Sequence, residues 1–198
     1  GDEILATDAK TSYDYFSAAL QLDNSNIRAL WGIGKSIEAT AEWDKWKKIG
    51  DSIENQSRRK YFEALEFVAR FESEKSLGYL NKARKGLLAA RELDFKDPSS
   101  YLSLGYVNCL LEQNSKKPLG LYEETIDLSL TGIALSSQYP FMRAGFYLNA
   151  AEGYYGIAQY QKAFDCYISA VRIDSSIIGQ GNKMSYLMHY GESAFQND

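Results

Sequence analysis

The spacing of tyrosine and alanine residues between positions 144 and 177 constrains the fold of this chain more than any other feature. One set recurs at i, i+3, i+4 and i+7, which is one face of a helix, and consists of Tyr147, Ala150, Ala151 and Tyr154. A second set recurs at i, i+4 and i+7 and consists of Ala163, Tyr167 and Ala170. Residues 156–159 leave room for a tight turn. The segment therefore predicts a helical hairpin with small residues where its helices approach closely.

Three earlier segments repeat this frame of positions. The frame from Ile27 places Leu30, Ile33, Gly34 and Ile37 in a first helix. The frame from Tyr61 places Ala64, Phe67, Val68 and Phe71 in a first helix, and Leu80, Ala83, Leu87 and Ala90 in a second. The frame from Pro98 places Tyr101, Leu104 and Gly105 in a first helix. Such self-similarity predicts stacked helix pairs, because a single pair cannot bury its own apolar face.

The unit at 144–177 resembles the tetratricopeptide repeat (TPR), whose pattern is W-x2-L-G-x2-Y followed by A-x3-F-x2-A-x4-P. Its first-helix positions hold Tyr147, Ala150, Ala151 and Tyr154, and its second-helix positions hold Ala163, Tyr167 and Ala170. Ser175 stands where the family prefers proline. The resemblance implies an all-α fold, a right-handed α-solenoid of antiparallel helix pairs that forms a TPR-like superhelix.

The frame predicts a single helical-repeat domain over residues 1–198. Its parts are a partial N-terminal helix pair at 5–24, helix pairs at 27–60, 61–97, 98–139 and 144–177, and a closing helix at 181–196. The closing helix, which contains Met184, Leu187, Met188 and Gly191, is either a cap or the first half of a further repeat. Two departures from the pattern are Trp46, which is expected to push its helices apart, and a long loop at 112–120.

In the TPR family the first helices line a concave surface, so the resemblance implies a partner-binding groove at defined positions of each unit. In this chain those positions include Arg28, Trp31, Lys35, Phe62, Leu65, Leu102, Tyr106, Leu148, Glu152 and Tyr155. Most of them are apolar or aromatic, and apolar exposure on this scale is typical of a binding surface. The alternative is that these side chains pack against the neighbouring repeat or under the long loop.

One binding mode of the family is not expected. TPR co-chaperones hold a C-terminal carboxylate with lysine, asparagine and arginine side chains on their first helices. Only Lys35 and Asn149 match that pattern in this chain. We therefore expect no carboxylate clamp for chaperone tails.

The sequence offers little for catalysis, for a cofactor or for nucleic acid. The net charge is −4, whereas a nucleic-acid surface needs a basic stripe. The two cysteines, Cys109 and Cys166, show no disulfide or metal-ligand spacing, and His189 is the single histidine. We therefore expect neither an enzyme nor a metal or cofactor site.

The leading functional hypothesis is a scaffold or adaptor that binds a partner helix or peptide of another protein in an apolar concave groove. One alternative is a ligand-binding accessory module of a bacterial envelope system. Another is a subunit of a membrane-associated complex, because the segment from Tyr15 to Gly32 resembles a stretch of a TPR subunit of that kind. No segment approaches the roughly 18 apolar residues of a membrane span. A cytoplasmic location is favoured, with an envelope or secreted location if an upstream signal was removed. The oligomeric state is not indicated.

Overall fold

The described residues, 8–23 and 26–175 of a computed structural model, form nine α-helices and no strand. The all-α fold class that the sequence predicts is confirmed. The helices are α1 Ala9–Leu22, α2 Ile27–Thr40, α3 Asp44–Ser52, α4 Gln56–Glu74, α5 Leu77–Leu93, α6 Pro98–Asn114, α7 Leu121–Leu135, α8 Pro140–Gly156 and α9 Tyr160–Ile173. The chain divides into two compact units, residues 1–95 and residues 96–198.

In the first unit, α2 contacts α1, α3 and α4, and α4 contacts α3 and α5. Thus α2 and α4, which the sequence predicts to be the first helices of successive pairs, pack directly against each other. Between them lies a core of fully buried apolar side chains that includes Leu30, Ile33, Ile37, Ile53 and Phe62. Leu30, Ile33 and Ile37 recur at helical spacing on α2, which explains why this face of α2 is buried.

In the second unit, α6 contacts α7 and α8, and α8 also contacts α7 and α9. As in the first unit, the two helices that the sequence predicts to begin successive pairs, here α6 and α8, contact each other. Ala151, Ala163 and Tyr167 are buried together where α8 meets α9, and they are the small and aromatic residues that predicted this hairpin. The tyrosine–alanine spacing therefore describes a real helix contact.

Side-chain caps set several of the helix starts. The side chains of Asp8, Asn26, Asn55 and Asp97 each accept a hydrogen bond from a backbone N–H in the first turn of the helix that follows. Because Asn55 caps α4, that helix begins at Gln56, within the predicted 27–60 pair. Pro140 is at the first position of α8, so α8 begins before the predicted start at 144. The division into repeats stays a prediction, and the predicted closing helix at 181–196 lies outside the described residues.

The predicted loop at 112–120 is shorter than expected, since α6 continues to Asn114. The carboxylate of Glu112 accepts hydrogen bonds from the backbone N–H groups of Leu119 and Leu121. One side chain of α6 thus supplies acceptors for the end of the loop and for the first turn of α7. The loop at 115–120 is closed on the end of α6 by these bonds.

Aromatic rings lie against glycines where helices approach most closely. A Cβ atom at Gly32 would overlap the ring of Phe16, and one at Gly132 would overlap the ring of Phe146. A Cβ atom at Gly34 would lie 2.9 Å from Cη2 of Trp46. At these positions glycine is required by the space that the ring occupies, rather than by backbone conformation.

We predict that Gly32→Ala lowers the free energy of unfolding by about 1–3 kcal/mol, because the new methyl group must displace the Phe16 ring. Gly78→Ala is the matched control on α5 of the same unit. There a Cβ atom would meet only Ser76 Oγ at 3.5 Å, so alanine should leave stability unchanged or raise it by up to about 1 kcal/mol. Urea unfolding followed by circular dichroism measures both. Equal stability of the two variants would contradict this prediction.

Candidate functional site

The ten sequence-predicted surface residues lie on four helices, two in each unit. In the first unit α2 carries Arg28, Trp31 and Lys35, and α4 carries Phe62 and Leu65. In the second unit α6 carries Leu102 and Tyr106, and α8 carries Leu148, Glu152 and Tyr155. Because α2 contacts α4 and α6 contacts α8, each unit brings its own predicted residues onto adjacent helices.

The face of α2 carries a large aromatic side chain that is exposed. Trp31 is 44% exposed, although an indole of this size is usually largely buried. Arg28 and Lys35 lie three residues before it and four residues after it, so all three share one side of the helix. The Lys35 ammonium forms an ion pair of 2.8 Å with Glu38. This face therefore combines an accessible aromatic ring with charges of both signs.

Phe62 does not share that exposure. Its side chain is 0% exposed and stacks on the indole of Trp46, with ring centroids 5.0 Å apart. The Trp46 indole N–H donates a hydrogen bond of 2.8 Å to the backbone carbonyl of Phe62. Leu65, which is partly buried, packs against the same core. Phe62 is thus a core residue in this structure, and Leu65 lies at the core margin.

The predicted residues of the second unit are partly buried or buried. A Cβ atom at Gly145 would lie 3.0 Å from Cδ1 of Leu102, so Leu102 lies close against the backbone of α8. Leu148 and Tyr155 pack against the cluster of Ala151, Ala163 and Tyr167, and the Tyr155 ring meets Tyr160 edge-on. Tyr106 is also partly buried. A large part of each of these side chains thus packs against other residues of the chain, as in the alternative considered from the sequence.

Glu152 is a buried carboxylate with partners inside the unit. It is 6% exposed, and its Oε1 accepts a hydrogen bond of 2.7 Å from the Tyr167 hydroxyl. Its Oε2 accepts a hydrogen bond of 3.2 Å from the side-chain amide of Gln113. These bonds join α8 to α9 and to the end of α6. Sequence analysis placed Glu152 on the surface and missed Tyr167 and Gln113 as its partners, because no pattern along the chain links the three positions.

Asn149 is likewise used inside the unit. Its side-chain amide donates a hydrogen bond of 2.8 Å to the backbone carbonyl of Leu102. The residue is buried. A Cβ atom at Gly105 would lie 2.8 Å from its amide nitrogen, so the side chain packs closely against α6. A role in fixing α6 against α8 is therefore what the geometry shows for it.

The two cysteines lie in surroundings that suppress thiol chemistry. Burial raises the pKa of the Cys109 thiol to about 12. Burial also raises the pKa of the Cys166 thiol to about 11, with the Asp165 carboxylate contributing in the same direction. A thiolate is the nucleophilic form, so neither residue is an activated nucleophile at neutral pH.

Two further observations concern metal ions and membranes. Across residues 8–23 and 26–175, no three histidine, cysteine or acidic side chains lie together in a way that could hold a metal ion. In the same part of the chain, no helix combines the length and apolar character of a transmembrane segment. His189 lies outside the described residues.

Comparison with known proteins identifies the fold. No family model matches the sequence, and no curated protein matches it significantly. Among solved structures, the chain is similar to TTC0263, a thermophilic TPR protein of Thermus thermophilus, with a TM-score of 0.62 and 16% identity over 94% of this chain and 91% of that one. The chain has the TPR fold. The resemblance seen in the repeat pattern is confirmed at that level.

A second solved structure in the comparison is YrrB, described as a TPR protein with an unusual peptide-binding site. The match covers 84% of this chain and 78% of that one, with a TM-score of 0.46 and 19% identity. That peptide site is a property of YrrB.

We predict that Tyr167→Phe destabilises the protein by about 1–3 kcal/mol, because it removes the hydrogen bond that the Tyr167 hydroxyl donates to the buried Glu152 carboxylate. Tyr160→Phe is the control on the same helix, since its ring meets Tyr155 through an edge contact and its hydroxyl has no hydrogen-bond partner among the described residues. The control should change stability by less than about 0.5 kcal/mol. Thermal unfolding of both variants decides the matter, and a loss of equal size would argue against the Glu152 bond.

We predict that both thiols of the folded protein react slowly with a disulfide reagent at pH 8. An ordinary thiol is about a quarter ionised at that pH, whereas the raised pKa of Cys166 leaves roughly one thiolate in a thousand. Unfolding in guanidinium chloride should therefore speed the reaction by about 100-fold or more. Because the folded-state pKa values are raised, the thiols leave stability unaffected below about pH 7.5 and lower it as pH rises through the ordinary pKa of about 8.5. Fast labelling of the folded protein at pH 8 would show that the thiol pKa values are not raised, and would contradict both the slow reaction and the pH dependence of stability.

Proposed function

We propose that the chain is a protein-interaction scaffold that binds a helix or peptide of a partner protein through the exposed faces of its first helices. The observation that carries the proposal is Trp31, an accessible indole between Arg28 and Lys35 on one side of α2. Tryptophan and arginine are the residue types that contribute most to binding at interfaces. Leu65, on the adjacent α4, is a partly buried apolar residue at the margin of the core.

The second unit offers a related but different face on α6 and α8. Its predicted residues with partial exposure are Leu102, Tyr106, Leu148 and Tyr155. Glu152 also lies on α8, and its carboxylate accepts hydrogen bonds from Tyr167 and Gln113. This face supports apolar contacts, with tyrosine supplying a large rigid ring and a polar tip. Phe62 and Glu152 are left out of the proposed contact residues because both are buried.

A library of displayed peptides selected on the wild-type protein tests the proposal. We expect Trp31→Ala to weaken the selected peptides by about 10-fold or more, because loss of a central aromatic anchor costs about 2 kcal/mol. The matched control is Tyr15→Ala, which removes another exposed aromatic side chain (62% exposed) from α1 of the same unit. The control should leave affinity within about twofold.

Two results would count against this function. Peptides whose affinity is unchanged in Trp31→Ala and in Tyr106→Ala would show that the first-helix faces are not the binding surface. Failure to select any peptide, while a thermal unfolding curve shows that the protein is folded, would contradict the proposal that its partner is a peptide.

A further inference from the structure

A cleft of about 760 Å³ lies between α3 and α4 in the first unit. Its α3 wall carries Asp44, Lys47, Lys48 and Asp51, and Trp43, the N-cap residue of α3, lies at the start of this wall. Its α4 wall carries Glu63, Glu66 and Arg70. The cleft is separate from the face of α2 on which the proposed function rests.

The aromatic side of the cleft is fixed by internal contacts. Trp43 stacks on Trp46 with ring centroids 6.2 Å apart, and Trp46 stacks in turn on the buried Phe62. Gly50 also lines the cleft and adds no side chain to fill it. A Cβ atom there would be 3.8 Å from the Phe62 ring, which is ordinary contact distance. The cleft thus lies beside a stack of three aromatic rings and a glycine.

The charges of the α4 wall are paired within the chain. Glu66 Oε1 lies 2.8 Å from the Arg70 guanidinium, which also lies 4.7 Å above the Trp43 ring. Glu63 Oε2 lies 2.8 Å from the ammonium of Lys60. This wall therefore presents charge that is already largely compensated.

The charges of the α3 wall differ from those of α4. Asp44, Lys47, Lys48 and Asp51 are exposed, and none has an ion-pair or hydrogen-bond partner among the described residues. Asp44 with Lys48, and Lys47 with Asp51, have the i, i+4 spacing at which such pairs stabilise a helix, yet they stay apart. Successive turns of α3 thus expose an acidic residue (Asp44), basic residues (Lys47 and Lys48) and a second acidic residue (Asp51) to a binding partner.

We propose that the α3–α4 cleft is a second docking site, and that its ligand is a partner helix with basic, acidic and basic side chains on successive turns. The charges of such a helix complement those of α3 in order and in spacing. The acid–base–acid series extends over about 10 Å, which suits a helical segment. Complementary charges of this kind set the register and the choice of partner, while an apolar side chain of the partner can contact the half-buried Trp43 indole.

Two synthetic helical peptides and one charge-inverted variant test the proposal. One peptide presents Lys, Glu and Lys at i, i+4 and i+7 beside a leucine, and the other presents Glu, Lys and Glu in the same frame. The variant combines Asp44→Lys, Lys47→Glu, Lys48→Glu and Asp51→Lys, so its net charge equals that of the wild type. We expect the wild type to prefer the Lys-Glu-Lys peptide by roughly tenfold at low ionic strength, and the variant to show the opposite preference.

Fluorescence anisotropy of labelled peptides measures these affinities, and a thermal unfolding curve confirms that the exposed substitutions leave the protein folded. Trp31→Ala is the control for the other surface and should leave the peptide preference unchanged. The proposal is overturned if neither peptide binds, if the preference does not invert in the variant, or if Trp31→Ala abolishes binding. Loss of binding in Trp31→Ala would show that the peptides bind to α2 instead. Absence of binding, or a preference that does not invert, would leave the function proposed for α2 intact.

Discussion

Close approach between helices is the constraint on which the rest of this structure depends. An aromatic ring on one helix requires a glycine on the next, as with Phe16 at Gly32 and Phe146 at Gly132. Where the ring meets a larger residue the helices must separate, because a well-packed interior has no spare volume. How closely the helices stack within each unit therefore depends on where these small residues occur.

The sequence predicted the fold because its information lies in spacing. The recurrence of small and apolar residues at helical intervals identified the hairpins, and Tyr167 is buried against Ala151 and Ala163 as that spacing predicts. Helix starts were less accessible, since Asn55 and Pro140 fix them by local chemistry. A cap can shift the start of a helix by several residues without altering its apolar face.

The accessible surface was harder to predict than the fold. The frame of the repeat gave Trp31 and Phe62 equivalent roles, yet Trp31 is exposed while Phe62 is covered by Trp46. That difference depends on a ring 16 residues away in sequence, which has no counterpart in the repeat pattern. The partners of Glu152 were equally invisible, because Gln113 is 39 residues from it. Long-range contacts of individual side chains decide such details, and periodicity carries no information on them.

The bonds from Glu112 to the backbone of Leu119 and Leu121 bear on how this fold tolerates inserted sequence. They hold the far end of the 115–120 segment directly against the helix it leaves, so the ends of the segment are kept together whatever lies between them. The chain-closure entropy of extra residues at Lys116 or Lys117 would then be small, because it grows only slowly with length. This position is accordingly the natural place in the second unit for an affinity tag or a spectroscopic label, and a natural place for relatives of this chain to differ in length.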